Sequence, residues 1–192
     1  MTETELKAVV ADMAACRAAV ERAGGVLELE GHLRDDRYED EQGRMKQLDQ
    51  VLRIRIFRGR ERVEASLEWK GPTRVVAGLK AREEIGTAVG DAEALGEIVT
   101  RLGYIVAKTI DREIAQYALV GATVRFERYP RMDDLVEVEG TAEAIERAIA
   151  ALGIPRDSFT ADSLPAFMAR YEQRTGKRPV VCAADLDAGA EW

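Results

Sequence analysis

Two short stretches hold the residues best suited to chemistry. Leu52-Arg53-Ile54-Arg55 is an Arg-x-Arg alternation and Leu135-Val136-Glu137-Val138-Glu139 a Glu-x-Glu alternation. Residues two apart in a strand share a face, so Arg53 and Arg55 project together, as do Glu137 and Glu139. Two further stretches repeat the sorting: Ser66, Glu68 and Lys70 oppose Ala65, Leu67 and Trp69, and Arg125 and Glu127 oppose Val124 and Phe126. An antiparallel sheet with one wet face alternates in the same way. Here, however, the charges are segregated by sign instead of being mixed with Thr, Ser and Gln. Curled inward, such faces enclose a cavity holding both cations and carboxylates. Arg and Lys hold phosphate oxygens, and carboxylates hold the Mg²⁺ or Mn²⁺ that bridges a polyphosphate. The chemistry this pairing serves is metal-assisted phosphoryl or nucleotidyl transfer.

Other catalytic schemes are thinly represented. His32 is the only histidine and reads as a half-exposed strand residue; no Ser or Cys stands at a motif spacing from a partner. Neither a Walker loop nor a Gly-x-Gly-x-x-Gly opening a helix is present. Trp69 shares the aliphatic face with Leu67, so it reads as core and not as a stacking platform.

The elements that must position these residues are mostly strands. Strand-like blocks span residues 26–34, 51–58, 62–70, 79–89, 104–119, 122–129 and 135–139, with Gly59-Arg60, Gly71-Pro72 and Gly121 as turns. Amphipathic helices are predicted over 12–23, 91–102 and 141–152, each stopped by glycine, and a fourth over 163–173. Consecutive strands with short connections make an antiparallel sheet large enough to close, an α+β pattern. At the amino terminus, Thr2 and Glu5 spell a capping box, so Glu3-Thr4-Glu5-Leu6-Lys7 is locally a helix start. As a strand it would instead aim Glu3, Glu5 and Lys7 at one side.

Composition sets the outer limits. The 192 residues suffice for one domain with a large core, taken as 1–176, with 177–192 as a mobile tail lacking any period. A net charge of −7 argues against general nucleic-acid binding. No apolar run approaches a membrane span, and the acidic start is unlike a signal peptide, so neither membrane nor export is expected and the cytoplasm is. Cys16 and Cys182 read as reduced thiols, and a homodimer is the base-rate expectation.

Taken in order, these residues resemble the CYTH superfamily, the triphosphate tunnel metalloenzymes that include class IV adenylyl cyclases and thiamine triphosphatase. The resemblance is carried by Glu3-Thr4-Glu5-Leu6-Lys7, Leu52-Arg53-Ile54-Arg55, Trp69-Lys70-Gly71-Pro72, Lys80-Ala81-Arg82-Glu83-Glu84 and Leu135-Val136-Glu137-Val138-Glu139, from residue 3 to about residue 171. It implies an eight-stranded antiparallel β-barrel forming a tunnel, with helices outside, and settles the first stretch as a strand. It implies Mg²⁺ or Mn²⁺ on Glu3, Glu5, Glu137 and Glu139, with Glu84 and Glu127 as further candidates. Lys7, Arg53, Arg55, Lys70, Arg82 and Arg112 would take the triphosphate, with Lys7, Arg53 and Lys70 in catalytic roles. The implied substrate is ATP, tripolyphosphate or thiamine triphosphate, and the short length and Trp-Lys-Gly-Pro element favour the adenylyl cyclase branch. Three departures stand out: Glu127 replaces the usual Asp, Gly86 replaces a carboxylate, and Ile114 replaces a basic residue.

Overall fold

The computed structural model describes residues 2–186, with the side chains of Thr2 and Glu3 outside the description. Its strands are β1 (Thr2–Val9), β2 (Val26–Asp40), β3 (Val51–Gly59), β4 (Val63–Lys70), β5 (Arg74–Val76), β6 (Leu79–Val89), β7 (Tyr104–Leu119), β8 (Ala122–Arg128) and β9 (Leu135–Glu139). Its helices are α1 (Met13–Arg22), α2 (Arg44–Gln47), α3 (Ala92–Arg101), α4 (Ala142–Leu152) and α5 (Leu164–Thr175). The sheet order is β1-β9-β8-β7-β2-β3-β4-β6, and β6 returns to β1 through Thr2↔Glu83 to Glu5↔Lys80. Every pairing is antiparallel, so eight strands close a barrel and β5 is a short ribbon on β6.

The barrel is inside-out relative to an ordinary core. Leu6, Ala8, Val124, Phe126, Val136 and Val138 point outward and meet Ile145, Ala148, Ile149 and Leu152 of α4 in the largest hydrophobic cluster. Burying each of these larger aliphatic side chains contributes roughly 1.5–3 kcal/mol, so the wall is held from outside. The interleaved residues are left to face inward, and they are the ionised ones. Helix starts are fixed locally: Asp12 accepts from Ala15 N and Asp91 from Ala94 N, both at 2.9 Å, and Thr141 accepts from Ala144 N at 3.3 Å.

The helix-forming spelling of the first residues loses to the barrel. As strand β1, Glu5 pairs with Lys80 and Glu139 on either side, closing the wall; a helix would leave two edges open. Strand β2 runs six residues past the predicted end at 34, because its backbone stays paired with β3 to Tyr38 and with β7 to Asp40.

Helix α5 lies across one mouth. Phe167 packs with Ile110, Tyr129, Leu135 and Val181 in a separate cluster. The stretch expected as a tail begins as a packed strap. Val180 and Arg131 exchange two backbone hydrogen bonds of 2.8 and 3.0 Å, and Val181 O accepts from Asp111 N at 2.7 Å. Ala183 N donates to the Asp111 carboxylate at 3.1 Å. This strap covers the part of β7 that β8 is too short to pair. Residues 187–192 of that predicted tail lie outside the described residues. Among the described residues, no helix is long and apolar enough to cross a membrane.

Candidate functional site

The interior divides into two compartments that share Arg53, Arg55, Lys70 and Arg125. The narrow one, at the α5 mouth, is lined by nine cationic side chains and three carboxylates. The other is a chamber of about 980 Å³ whose wall includes Leu29, Leu33, Phe57 and Ile114.

Asp35 anchors the cationic side. It is fully buried and accepts from Arg53 at 3.1 Å, Arg55 at 2.8 Å and Arg112 at 3.0 Å. Burial pushes its carboxyl up, but Arg112, Arg53 and Arg55 outweigh this and hold it well below the usual carboxylate range. Glu68 accepts from Arg53 Nε at 2.8 Å and from Ser66 at 2.8 Å; despite burial, Arg53 and Arg55 bring it down to about 2. Glu127 accepts from Arg112 at 2.9 Å and from the Tyr129 hydroxyl at 2.6 Å, and these neighbours likewise overcome burial and lower it.

A second group is acidic. Glu5, Glu137 and Glu139 each place a carboxylate oxygen within 4.8 Å of the other two. Three cations neutralise them: Lys80 and Lys7 bind Glu5, Lys7 also binds Glu137, and Arg125 binds Glu137 and Glu139. Burial raises the Glu5 carboxyl, yet Lys7 and Lys80 take it down to about 2, while burial pushes the Lys7 ammonium down against the pull of Glu5. An all-carboxylate, all-oxygen donor set suits Mg²⁺ or Mn²⁺ over softer ions. The residues therefore fit such an ion, in competition with the three cations.

Among the described residues, three buried side-chain donors lack a hydrogen-bond partner: Arg37 Nε, Arg112 Nη1 and Arg125 Nε, the last of which lies 3.4 Å from the Glu127 carboxylate. Buried donors are normally satisfied, so Arg37 Nε and Arg112 Nη1 point to an absent acceptor.

Solved structures with this fold are known. PH1819 from Pyrococcus horikoshii OT3 superposes with a TM-score of 0.73 at 22% identity, over 88% of this chain and 98% of that one. A "putative adenylate cyclase" from Vibrio parahaemolyticus gives 0.75 at 16% identity, over 88% and 98%. The chain has the CYTH-like tunnel fold. A third tunnel protein, the "putative adenylyl cyclase" HpAC1 from Hippeastrum, is described with a dominant triphosphatase activity; it gives 0.61 at 16% identity, over 92% and 96%. At these identities the likeness is one of fold. No family model and no curated protein matches the sequence.

Within the tunnel, Lys7, Arg53, Arg55, Lys70, Arg82, Arg112, Glu5, Glu127 and Glu137 line the narrow compartment, and Glu84 and Glu139 the wide one. Three expected residues are otherwise engaged. Arg82 donates to the carbonyls of Gly71 at 2.6 Å and Asp49 at 2.5 Å, holding the loop after β4. Glu84 binds Lys70, and Glu127 is taken by Arg112 and Tyr129, so neither belongs to the carboxylate cluster. The Glu3 side chain lies outside the described residues, although its backbone pairs with Arg82 in β1. Trp69 is half-buried on the outer wall beside Gly71 and is not in a core cluster. Sequence reasoning left Asp35, Arg37, Glu68, Lys80 and Arg125 unassigned. Lys80 stands two residues before Arg82, and Glu68 and Arg125 sit on sorted faces, so strand period could have found them. Asp35 and Arg37 lie in an unbroken charged run with no alternation to read.

Proposed function

We propose that this protein is a divalent-metal-dependent enzyme acting on the phosphate chain of an organic triphosphate, with conversion of ATP to cyclic AMP and pyrophosphate as the leading reaction. The observation that carries the reading is the junction of the two compartments: a cation-rich groove with unpaired donors opens into a chamber with an apolar wall. Inorganic tripolyphosphate has nothing to place against Leu33, Phe57 and Ile114, whereas the organic group of a nucleotide does.

In this reading Arg53, Arg55, Lys70 and Arg112 hold phosphoryl oxygens, and Asp35 and Glu68 fix the guanidinium groups so that little reorganisation is needed. Glu5, Glu137 and Glu139 would hold the divalent ion, which when bound would supply charge neutralisation at the reacting phosphoryl group and acidify the attacking oxygen. Lys7, between Glu5 and Glu137, is placed to exchange a carboxylate for a phosphate oxygen. The three carboxylates are already balanced by three cations, so a triphosphate must arrive with the ion to restore neutrality. Metal and triphosphate binding are therefore coupled.

Hydrolysis of the same triphosphate is the second reading, favoured by the activity described for HpAC1 on the shared fold. Incubation with ATP, tripolyphosphate and thiamine triphosphate, each with Mg²⁺ or Mn²⁺, followed by product separation, decides. Cyclic AMP supports the first reading, and orthophosphate release the second. No turnover of any of the three would leave a binding module and remove the enzyme.

A further inference from the structure

Arg37 is the cation of the narrow compartment whose side chain, among the described residues, forms no hydrogen bond or ion pair. Its register partners are also basic, Arg53 on β3 and Lys108 on β7, so three cations stand abreast across three strands. Lys108 directs its ammonium at the Met168 sulfur, 3.8 Å away, and not at an acid. Burial pushes the Arg37 guanidinium down to about 10, with Arg53 and Arg112 adding repulsion that Asp35 does not offset. Like charges abreast in a sheet destabilise it, and a desolvated cation without a partner is costly. A fold that keeps this arrangement is built for an anion brought from outside.

Two further features face the same place. Arg112, 4% exposed, holds Nη1 there unpaired. The twelve-residue helix α5 begins there, with Ser163, Leu164 and Pro165 in the lining and no side-chain cap bond from Ser163. A helix amino terminus carries partial positive charge suited to a phosphoryl group. Meanwhile Ile114, on the same strand as Arg112, lies in the apolar wall with Leu33 and Phe57 at the other end of the tunnel. Positive charge is thus displaced toward α5.

We propose that the α5 end of the tunnel is a terminal-phosphate subsite, formed by Arg37, Arg112 and the start of α5, which takes the last phosphoryl group of the chain and turns the organic group toward the wide chamber. The inference rests on the triphosphate reading and adds polarity and chain-length selection to it. A diphosphate seated with its organic group in the chamber stops short of Arg37.

Calorimetric titration with nonhydrolysable analogues of ATP and of ADP, each with Mn²⁺, tests this. Arg37→Gln should weaken ATP binding by about 10- to 100-fold, the range one charge-assisted hydrogen bond supplies, and change ADP binding by less than about threefold. Ser163→Asp leaves the barrel wall untouched and provides a good helix cap, yet sets a negative charge at the subsite; it should show the same selective loss and decides the matter if Arg37→Gln does not fold. Equal losses for ATP and ADP, or no loss for either, would overturn the subsite while wild-type ATP binding kept the triphosphate reading intact. Wild-type protein that binds neither nucleotide would instead overturn the reading beneath it.

Discussion

Asp35→Asn isolates the charge on which the cationic wall depends. Asp35 is fully buried and serves Arg53, Arg55 and Arg112 together. With its charge removed, Arg53 keeps Glu68 and Arg112 keeps Glu127, but Arg55 is left with Glu68 at 3.7 Å. Taking one partner from a buried ion pair costs about 3–5 kcal/mol, a large share of the 5–15 kcal/mol typical of a domain. Urea unfolding at pH 7 should show that loss. Tripolyphosphate at about 100 times its Kd should return roughly 2.7 kcal/mol by mass action. The sign with pH is fixed: the Asp35 carboxyl is lowered in the folded state, so its stabilisation is present above the unfolded value near 3.9 and fades as pH falls below it. The difference between wild type and Asp35→Asn should therefore shrink below about pH 4. A variant within about 1 kcal/mol of wild type at pH 7 would refute the account of Asp35 as the shared counter-ion.

Glu137→Gln with Glu139→Gln should abolish metal-dependent turnover and lower stability to urea, since Lys7 is left with Glu5 alone and Arg125 with Glu127 alone; retained turnover would remove these acids from the site. Mn²⁺ binding followed by electron paramagnetic resonance should be weak alone and tighten at least about tenfold with tripolyphosphate present, and equal affinity in both conditions would contradict the coupling. Phe57→Ser should weaken ATP binding while sparing tripolyphosphate, and parallel losses would take the organic group out of the wide chamber. Glu5 and Glu68 sit near 2 when folded, so the stability they add should hold above the unfolded value near 4.3 and be lost as pH falls toward 2; acid unfolding that begins near pH 6 would contradict it.

Much of the barrel is legible in the sequence because its two faces obey a period of two. Arg53 with Arg55 and Glu137 with Glu139 reveal their strands and their inward direction without any structure. The amino terminus shows where local spelling fails: Thr2 and Glu5 satisfy a helix rule, and only the need to close β9 against β6 overrides it. Asp35 and Arg37 were hidden for a related reason. Their strand is charged on both faces, so no apolar alternation marks it, and their placement follows from pairing with β3 and β7. Which carboxylates cluster is also a tertiary fact. Glu84 and Glu127 carry suitable chemistry, but the closure of the barrel gives them to Lys70 and to Arg112.

The most direct measurement is a crystal structure with a nonhydrolysable ATP analogue and Mn²⁺. The account predicts anomalous density among Glu5, Glu137 and Glu139, phosphates on Arg53, Arg55 and Arg112, and the base beside Phe57 and Ile114. An analogue bound outside the tunnel, or a tunnel left empty at saturating analogue, would contradict it.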